Sequence, residues 1–202
     1  MEFVAFDLET TGTDPRTGAI VEIGAIRFRN GEAGERFGEL IDPKTPIPPA
    51  ASRVNGITDE MVQGKPRIED VAGPFAQFCG SSPLVAHNAP FDFRFLSASI
   101  RRFRLPAPGG PVLDSLTLAR KLFPGLPNYR LGTLVRHFDF PSGVFHRAEE
   151  DSAYCGLLFV EILRRLEARG EQVDESTLIR LGGRGEMRFP QYKAAPDQLD
   201  LF

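Results

Sequence analysis

The sequence contains no tryptophan, only two cysteines and three histidines, and its net charge of −3 departs little from neutrality. Each scarcity excludes something. Cys79 and Cys155 lie far apart in apolar surroundings, so they read as buried thiols of a reducing compartment, not as a disulfide framework or a zinc site. No apolar run approaches the ~18 residues of a membrane span. No basic segment followed by an apolar stretch opens the chain. The expected location is therefore the cytoplasm, and no membrane partner is expected. Proteins that grip nucleic acid by bulk charge are usually basic. With 24 basic against 27 acidic side chains, any such contact here must be local.

What is present fits one domain with a short tail: 202 residues, 42% of them hydrophobic, with 17 phenylalanines. Residues 3–9 (FVAFDLE), 19–28 (AIVEIGAIRF) and 36–42 (RFGELID) read as strands, and Asn30-Gly31 marks a hairpin. Pro43, Pro46, Pro48 and Pro49 mark a loop, after which Thr58 can cap a short helix. Ile68, Val71, Phe75, Phe78 and Cys79 have helical spacing, with Pro74 expected to kink the helix. A buried strand at 83–87 precedes a helix over 90–104 and a short strand at 112–114. Helices follow near 115–123, 130–138 and 148–169. Strands first, then strands alternating with helices, predict an α/β fold: a mixed sheet with an antiparallel hairpin and helices on its faces. After Gly170 the pattern degrades. Gly182, Gly183, Gly185, Pro190 and Pro196 read as a linker. The expected plan is a compact domain over 1–169, a tail and flexible linker over 170–197, and a terminal motif over 198–202.

Four carboxylates stand where apolar residues belong. Asp7 and Glu9 are two apart on a strand, so they share a face with Phe3 and Ala5. Adjacent buried carboxylates repel, and a divalent cation between them would remove the cost. A lone D-x-E can equally be an exposed acidic strand end. Asp92 is expected on a helix face with Phe95, Leu96 and Phe103, just beyond His87-Asn88 at a strand end. Alone, it can equally be a first-turn Asp favoured by the helix dipole. Asp151 lies on the stripe of Cys155, Leu158, Ile162 and Leu166, with His146 in the loop before it. Taken together, four inward carboxylates from three distant segments favour a site for hard cations, Mg²⁺ or Mn²⁺.

FDLETTG (Asp7, Glu9), HNAPFD (Asp92) and HRAEED (His146, Asp151) resemble, in order and interval, the three motifs of DnaQ-like DEDD 3′-5′ exonucleases. This is the family of the DNA polymerase III epsilon subunit. A His five residues before the last Asp marks the His-bearing subtype, and NGITDEMV (Asn55 to Val62) resembles a further family loop. The resemblance covers residues 1–168 and implies a ribonuclease H-like fold with two-metal hydrolysis. It implies that Asp7 bridges two divalent cations, Mg²⁺ or Mn²⁺, while Glu9, Asp92 and Asp151 complete their coordination. It makes His146 the general base. It places the 3′-terminal nucleotide against Thr10, Thr11, Gly12, Ile57 and Asn88. The substrate implied is a DNA 3′ end, single-stranded or frayed, with a DNA polymerase as a possible partner. A 3′-5′ exoribonuclease, or a clamp or polymerase adaptor with a silent site, are the competing readings.

The chain ends Gln198-Leu199-Asp200-Leu201-Phe202, which resembles the pentapeptide with which bacterial replication and repair proteins bind the sliding clamp. Leu201 and Phe202 have nothing local to bury them. Their burial on a partner is worth about 3–6 kcal/mol before ordering costs, enough for weak docking. Deleting residues 198–202 is expected to abolish binding to a bacterial sliding clamp, titrated by calorimetry, while leaving cleavage of a short oligonucleotide unchanged. Equal binding by intact and truncated chains would dismiss the clamp as a partner.

Overall fold

In a computed structural model that describes residues 1–141, 147–183 and 185–192, the apolar run Phe3 to Leu8 forms β1 (Glu2–Thr10) at the centre of a five-stranded sheet. β2 (Ile20–Arg29) and β3 (Glu32–Leu40) pair antiparallel on one side of it. Their turn places Asn30 and Gly31 at φ of 53° and 84°, the left-handed conformation that an Asn-Gly pair tolerates best. On the other side, β4 (Leu84–Ala86) and β5 (Val112–Asp114) run parallel to β1. The sheet order is β3-β2-β1-β4-β5. This is the mixed α/β sheet that the strand order predicts, with helices on both faces.

The side-chain alternation of β1 divides the core. Val4, Phe6 and Leu8 face α3 (Ile68–Cys79) and α4 (Pro90–Phe103). Phe3 and Ala5 face α5 (Ser115–Leu122), α6 (Leu131–His137) and the long α7 (Ala148–Ala168). Asp7 and Glu9 therefore emerge on the α7 side. Strand β1 also outruns β4, whose paired residues face Val4 and Ala5. Beyond that point the N–H of Leu8 has no strand to bond, and Asp92 of α4 accepts it at 3.1 Å.

Several elements differ from expectation. The proline loop ends in a helix, α1 (Pro49–Asn55), because Pro49 occupies the first turn, where its missing N–H costs nothing. Helix α2 (Asp59–Val62) does start after Thr58, without a side-chain cap bond. Helix α3 runs continuously through Pro74. On α4 Asp92, Phe95 and Leu96 are buried as expected, together with Ser97 and Ile100, but Phe103 is 40% exposed.

Part of the expected flexible linker is folded. Asp174 accepts from Thr177 N at 2.8 Å to start α8 (Glu175–Gly182), and Leu178 is fully buried. Phe189 packs on Phe93, with ring centroids 5.1 Å apart. Met187 forms an isolated antiparallel bridge with Val112. Gly183 and Gly185 take φ of 67° and 73°, so the glycines act as turns within a docked segment. The pentapeptide Gln198 to Phe202 lies outside the described residues. No helix among the described residues is long and apolar enough to cross a membrane.

Helix α7 meets the sheet at its N-terminus with no spare space. A Cβ on Gly24 of β2 would lie 2.1 Å from the carbonyl carbon of Ala148 and 2.2 Å from the nitrogen of Glu149. Backbone cannot give way as a flexible side chain can. Gly24→Ala is expected to cost about 1–3 kcal/mol or more and, by lifting the first turn of α7, to reduce the activity that the motif resemblance implies beyond the loss of folded protein. Differential scanning calorimetry with activity normalised to folded fraction tests this. An unchanged Tm would show that α7 is not seated as described.

Candidate active site

Asp7, Glu9 and Asp151 converge at the end of β1. Each can offer a carboxylate oxygen such that the three atoms lie within 4.8 Å of one another. Strand geometry sets the first two and helix geometry the third. Asp7 and Glu9 are i and i+2 on the α7 face, and Asp151 sits in the first turn of α7, its N–H bonded to Arg147 O at 3.0 Å. Asp92 stands one step off this trio. It is 2% exposed, and one of its oxygens is engaged by Leu8 N. Among the charged neighbours of Asp7, Asp92 is still the one that acts on it most.

Two residues that the motif pattern leaves out hold this arrangement. Glu22 is the register partner of Glu9 across β1 and β2. It is 6% exposed, takes Arg147 in a bidentate pair with contacts of 2.6 and 3.2 Å, and accepts the N–H of Ala148 at 3.0 Å. It thus satisfies an orphan donor at the start of α7 and fixes where Asp151 stands. Ser152 adds a tie from α7 to Gly24 O at 2.9 Å. Asp114, at the end of β5, accepts from the backbone of Asn88 and Ala89 at 3.1 Å each and from Thr117 Oγ1 at 2.5 Å. It holds the turn that leads into α4 and so orients Asp92.

The expected nucleotide-contacting residues divide. Thr10, Thr11 and Gly12 lie just past the carboxylates; Thr10 Oγ1 donates to Gly12 O at 2.7 Å, and Thr11 Oγ1 accepts from Ala19 N at 2.9 Å. Asn88 is exposed, with a left-handed φ of 69°. Ile57 is fully buried against Val21, Ile47 and Val62, so its side chain supports the wall from behind instead of presenting itself to a ligand. Its N–H bonds Asn55, which in turn bonds Thr10 O and Glu9. His87 is held between Ser115 and Tyr129 O at 2.9 and 2.8 Å, and its burial lowers its pKa. His146 lies outside the described residues.

The electrostatics of the cluster are those of carboxylates crowded together and withdrawn from water. Burial, then the charges of Asp92, Glu9 and Asp151, push the Asp7 carboxyl well above its ordinary range. Burial and Asp151 raise Glu9 to about 7, against the hydrogen bond from Asn55. Burial raises Asp92 to about 8 although backbone N–H groups bond it. Arg147, the cation nearest in sequence to Asp151, is already engaged by Glu22. Closely grouped hard oxygens fit a hard divalent cation, and among the described residues no cysteine or histidine belongs to the group.

A family model for exonucleases matches residues 4–159. The chain belongs to the exonuclease family. Among curated relatives of this exonuclease, the DNA polymerase III PolC-type of Halalkalibacterium halodurans is 40% identical over 163 residues. The match takes 81% of this chain but only 11% of that protein's length. The DNA polymerase III subunit epsilon of Treponema pallidum is 39% identical over 163 residues, 80% of this chain and 76% of that one. Among solved structures, exonuclease X in complex with 5′ overhanging duplex DNA shares the fold at a TM-score of 0.72. It is 31% identical, and the match covers 90% of this chain and 99% of that one.

The raised carboxyls give the metal-free exonuclease a pH dependence of definite sign. Glu9 and Asp92 bind a proton up to about 7 and about 8 in the folded chain, but only to ~4 when unfolded. Between those values the native state holds more protons, so stability falls as pH rises. In EDTA, Tm is expected to be lower near pH 8 than near pH 6. Mg²⁺ should flatten that slope, and Asp7→Asn should raise Tm in EDTA at the higher pH. A metal-free Tm that climbs with pH over this window would contradict the site as described.

Proposed function

We propose that this exonuclease removes nucleoside 5′-monophosphates one at a time from DNA 3′ ends, single-stranded or frayed, in proofreading or repair in the cytoplasm. The observation that carries the reading is the cluster of Asp7, Glu9 and Asp151 at the end of β1. Similarity to a polymerase III epsilon subunit and to an exonuclease solved with DNA supports the choice of substrate. A polymerase is the natural partner of such an activity. The resemblance of residues 198–202 to a clamp-binding peptide supports a sliding clamp as a second partner.

Hydrolysis forms a bond from a water oxygen to the terminal phosphorus and breaks the bond to the 3′ oxygen of the penultimate nucleotide, which leaves with a proton. Asp7, Glu9, Asp92 and Asp151 would hold two divalent cations, Mg²⁺ or Mn²⁺. When bound, these would supply charge for the attacking water and for the departing oxygen. Asp7, which has Glu9, Asp92 and Asp151 among its charged neighbours, would be the ligand at the middle of the group. Glu22 and Arg147 keep Asp151 in place, and Asp114 keeps the approach to Asp92 in place. His146, five residues before Asp151, takes the proton of the attacking water on its imidazole nitrogen. Thr10, Thr11, Gly12 and Asn88 present backbone and small polar groups to the terminal nucleotide, with Ile57 supporting them from the core.

Asp7→Asn and Asp151→Asn are expected to lower nucleotide release from 3′-labelled DNA by at least about 10³-fold, an effect of the size seen when charge stabilisation is removed. His146→Ala is expected to cost ~10²–10⁴-fold in turnover while Mg²⁺ binding by calorimetry persists. Matched RNA beside single-stranded and mismatched 3′-recessed DNA, each with Mg²⁺ and with EDTA, reads the sugar preference. Full activity of Asp7→Asn in Mg²⁺, or faster release from RNA than from DNA, would overturn the corresponding part of this assignment.

A further inference from the structure

A second concavity opens on the α3–α4 side of the sheet, beside the loop that joins β1 to β2. Its volume is about 680 Å³, and its walls are that loop, residues 41–45, the start of α3 and the length of α4 from Phe93 to Phe103. Six arginine or lysine side chains line it against two carboxylates, in a chain whose net charge is −3. Two of the six are engaged: Arg16 by Asp14 at 2.8 Å and Lys44 by Asp42 at 2.7 Å. Arg67, Arg101 and Arg102 are exposed, with no carboxylate at ion-pair distance among the described residues. Phe103 is 40% exposed at the same wall, and the guanidinium of Arg102 lies 5.3 Å from its ring centroid. Ser97, also on the wall, is 2% exposed, and its hydroxyl has no partner among the described residues.

We propose that this groove holds the sugar–phosphate backbone of the DNA strand being trimmed, a few nucleotides in from its 3′ end. The proposal rests on the exonuclease reading above and adds the place where a nearly neutral protein concentrates its positive charge. Unpaired guanidiniums beside an exposed aromatic ring are the pairing that tracks phosphates and stacks a base. Two elements, α4 and the loop after β1, join the groove to the carboxylate site. Helix α4 carries Asp92 near its start and Arg101 and Arg102 nine and ten residues later, a rise of ~15 Å. That distance spans about four phosphates of a duplex strand at ~3.4 Å each. The groove wall at Ala19 is hydrogen-bonded in both directions to Thr11, at 2.9 Å each way. Held phosphates would thus lie upstream of the terminal nucleotide, and a substrate without them would not feel the groove.

The test is an Arg67→Gln/Arg101→Gln/Arg102→Gln variant beside a control in which Arg164, Arg165 and Arg180, far along α7 and on α8, are changed to Gln. Binding of a fluorescent 20-nucleotide DNA is followed by anisotropy in EDTA across a salt series, and hydrolysis of the p-nitrophenyl ester of thymidine monophosphate is followed in Mg²⁺. The groove variant is expected to bind DNA at least about 10-fold more weakly. Its log-log salt slope should be shallower by about 2 to 3, close to one unit per lost phosphate contact. It should hydrolyse the ester at the wild-type rate, and the control should match wild type in both assays. Wild-type DNA affinity and salt slope in the groove variant, or an equal loss in the control, would overturn the proposal. Groove-dependent binding by a wild type that hydrolyses neither ester nor DNA would uphold the groove and fell the exonuclease reading instead.

Discussion

Two carboxylates two residues apart on a buried strand repel each other, and each loses hydration that only an opposite charge can replace. Asp7 and Glu9 are in that position, and Asp92 and Asp151 are brought in from both faces of the sheet to make it worse. The surrounding structure is arranged to hold this unfavourable cluster. Strand β1 runs past β4, and Asp92 bonds the N–H left over at Leu8. Glu22 clamps the start of α7 through Arg147 and Ala148. Gly24 lets that start lie directly on β2. Each feature opposes a displacement that repulsion would otherwise drive. The strain is confined to one end of a sheet whose two hydrophobic layers supply the stability.

Much of this was legible in the sequence, because the clustered carboxylates break the pattern around them. Asp7 and Glu9 interrupt an apolar strand, and Asp151 interrupts the apolar stripe of α7. The hairpin at Asn30-Gly31 and most helices follow from turn chemistry and periodicity. The supporting residues were hidden for the same physical reason in each case. Glu22 alternates with Val21 and Ile23, so it reads as an ordinary outward residue of a half-buried strand; its partner Arg147 is 125 positions away. Asp114 at the end of a three-residue strand carries no periodic signal. Helix α8 has eight residues among glycines and prolines, and what orders it is Leu178 reaching a core built mainly by α5 and α7. Phe103 is the last residue of α4 and is exposed although the expected Asp92, Phe95 and Leu96 are buried, an end effect that periodicity does not resolve.

The division of labour between the two faces of β1 also matters. The α7 face supplies Asp7, Glu9 and Asp151, while the α4 face supplies Asp92 and the cationic groove. Strand β1 places one residue parity in each layer, so both layers meet at its end. A displacement of α4 or α7 is therefore felt at the same strand end, where the carboxylates of both layers meet.

The two outer strands have a consequence for how this body can live beside others. Strand β3 is exposed almost throughout and carries Glu32, Glu35, Arg36 and Glu39. β5 is short and its free margin is met by Met187. A charged margin on one side and a covered one on the other give a neighbouring strand nowhere to add. Such a sheet can be placed next to a polymerase or a second copy of itself at high local concentration without zipping into it, and contacts with other proteins are left to helices, loops and termini.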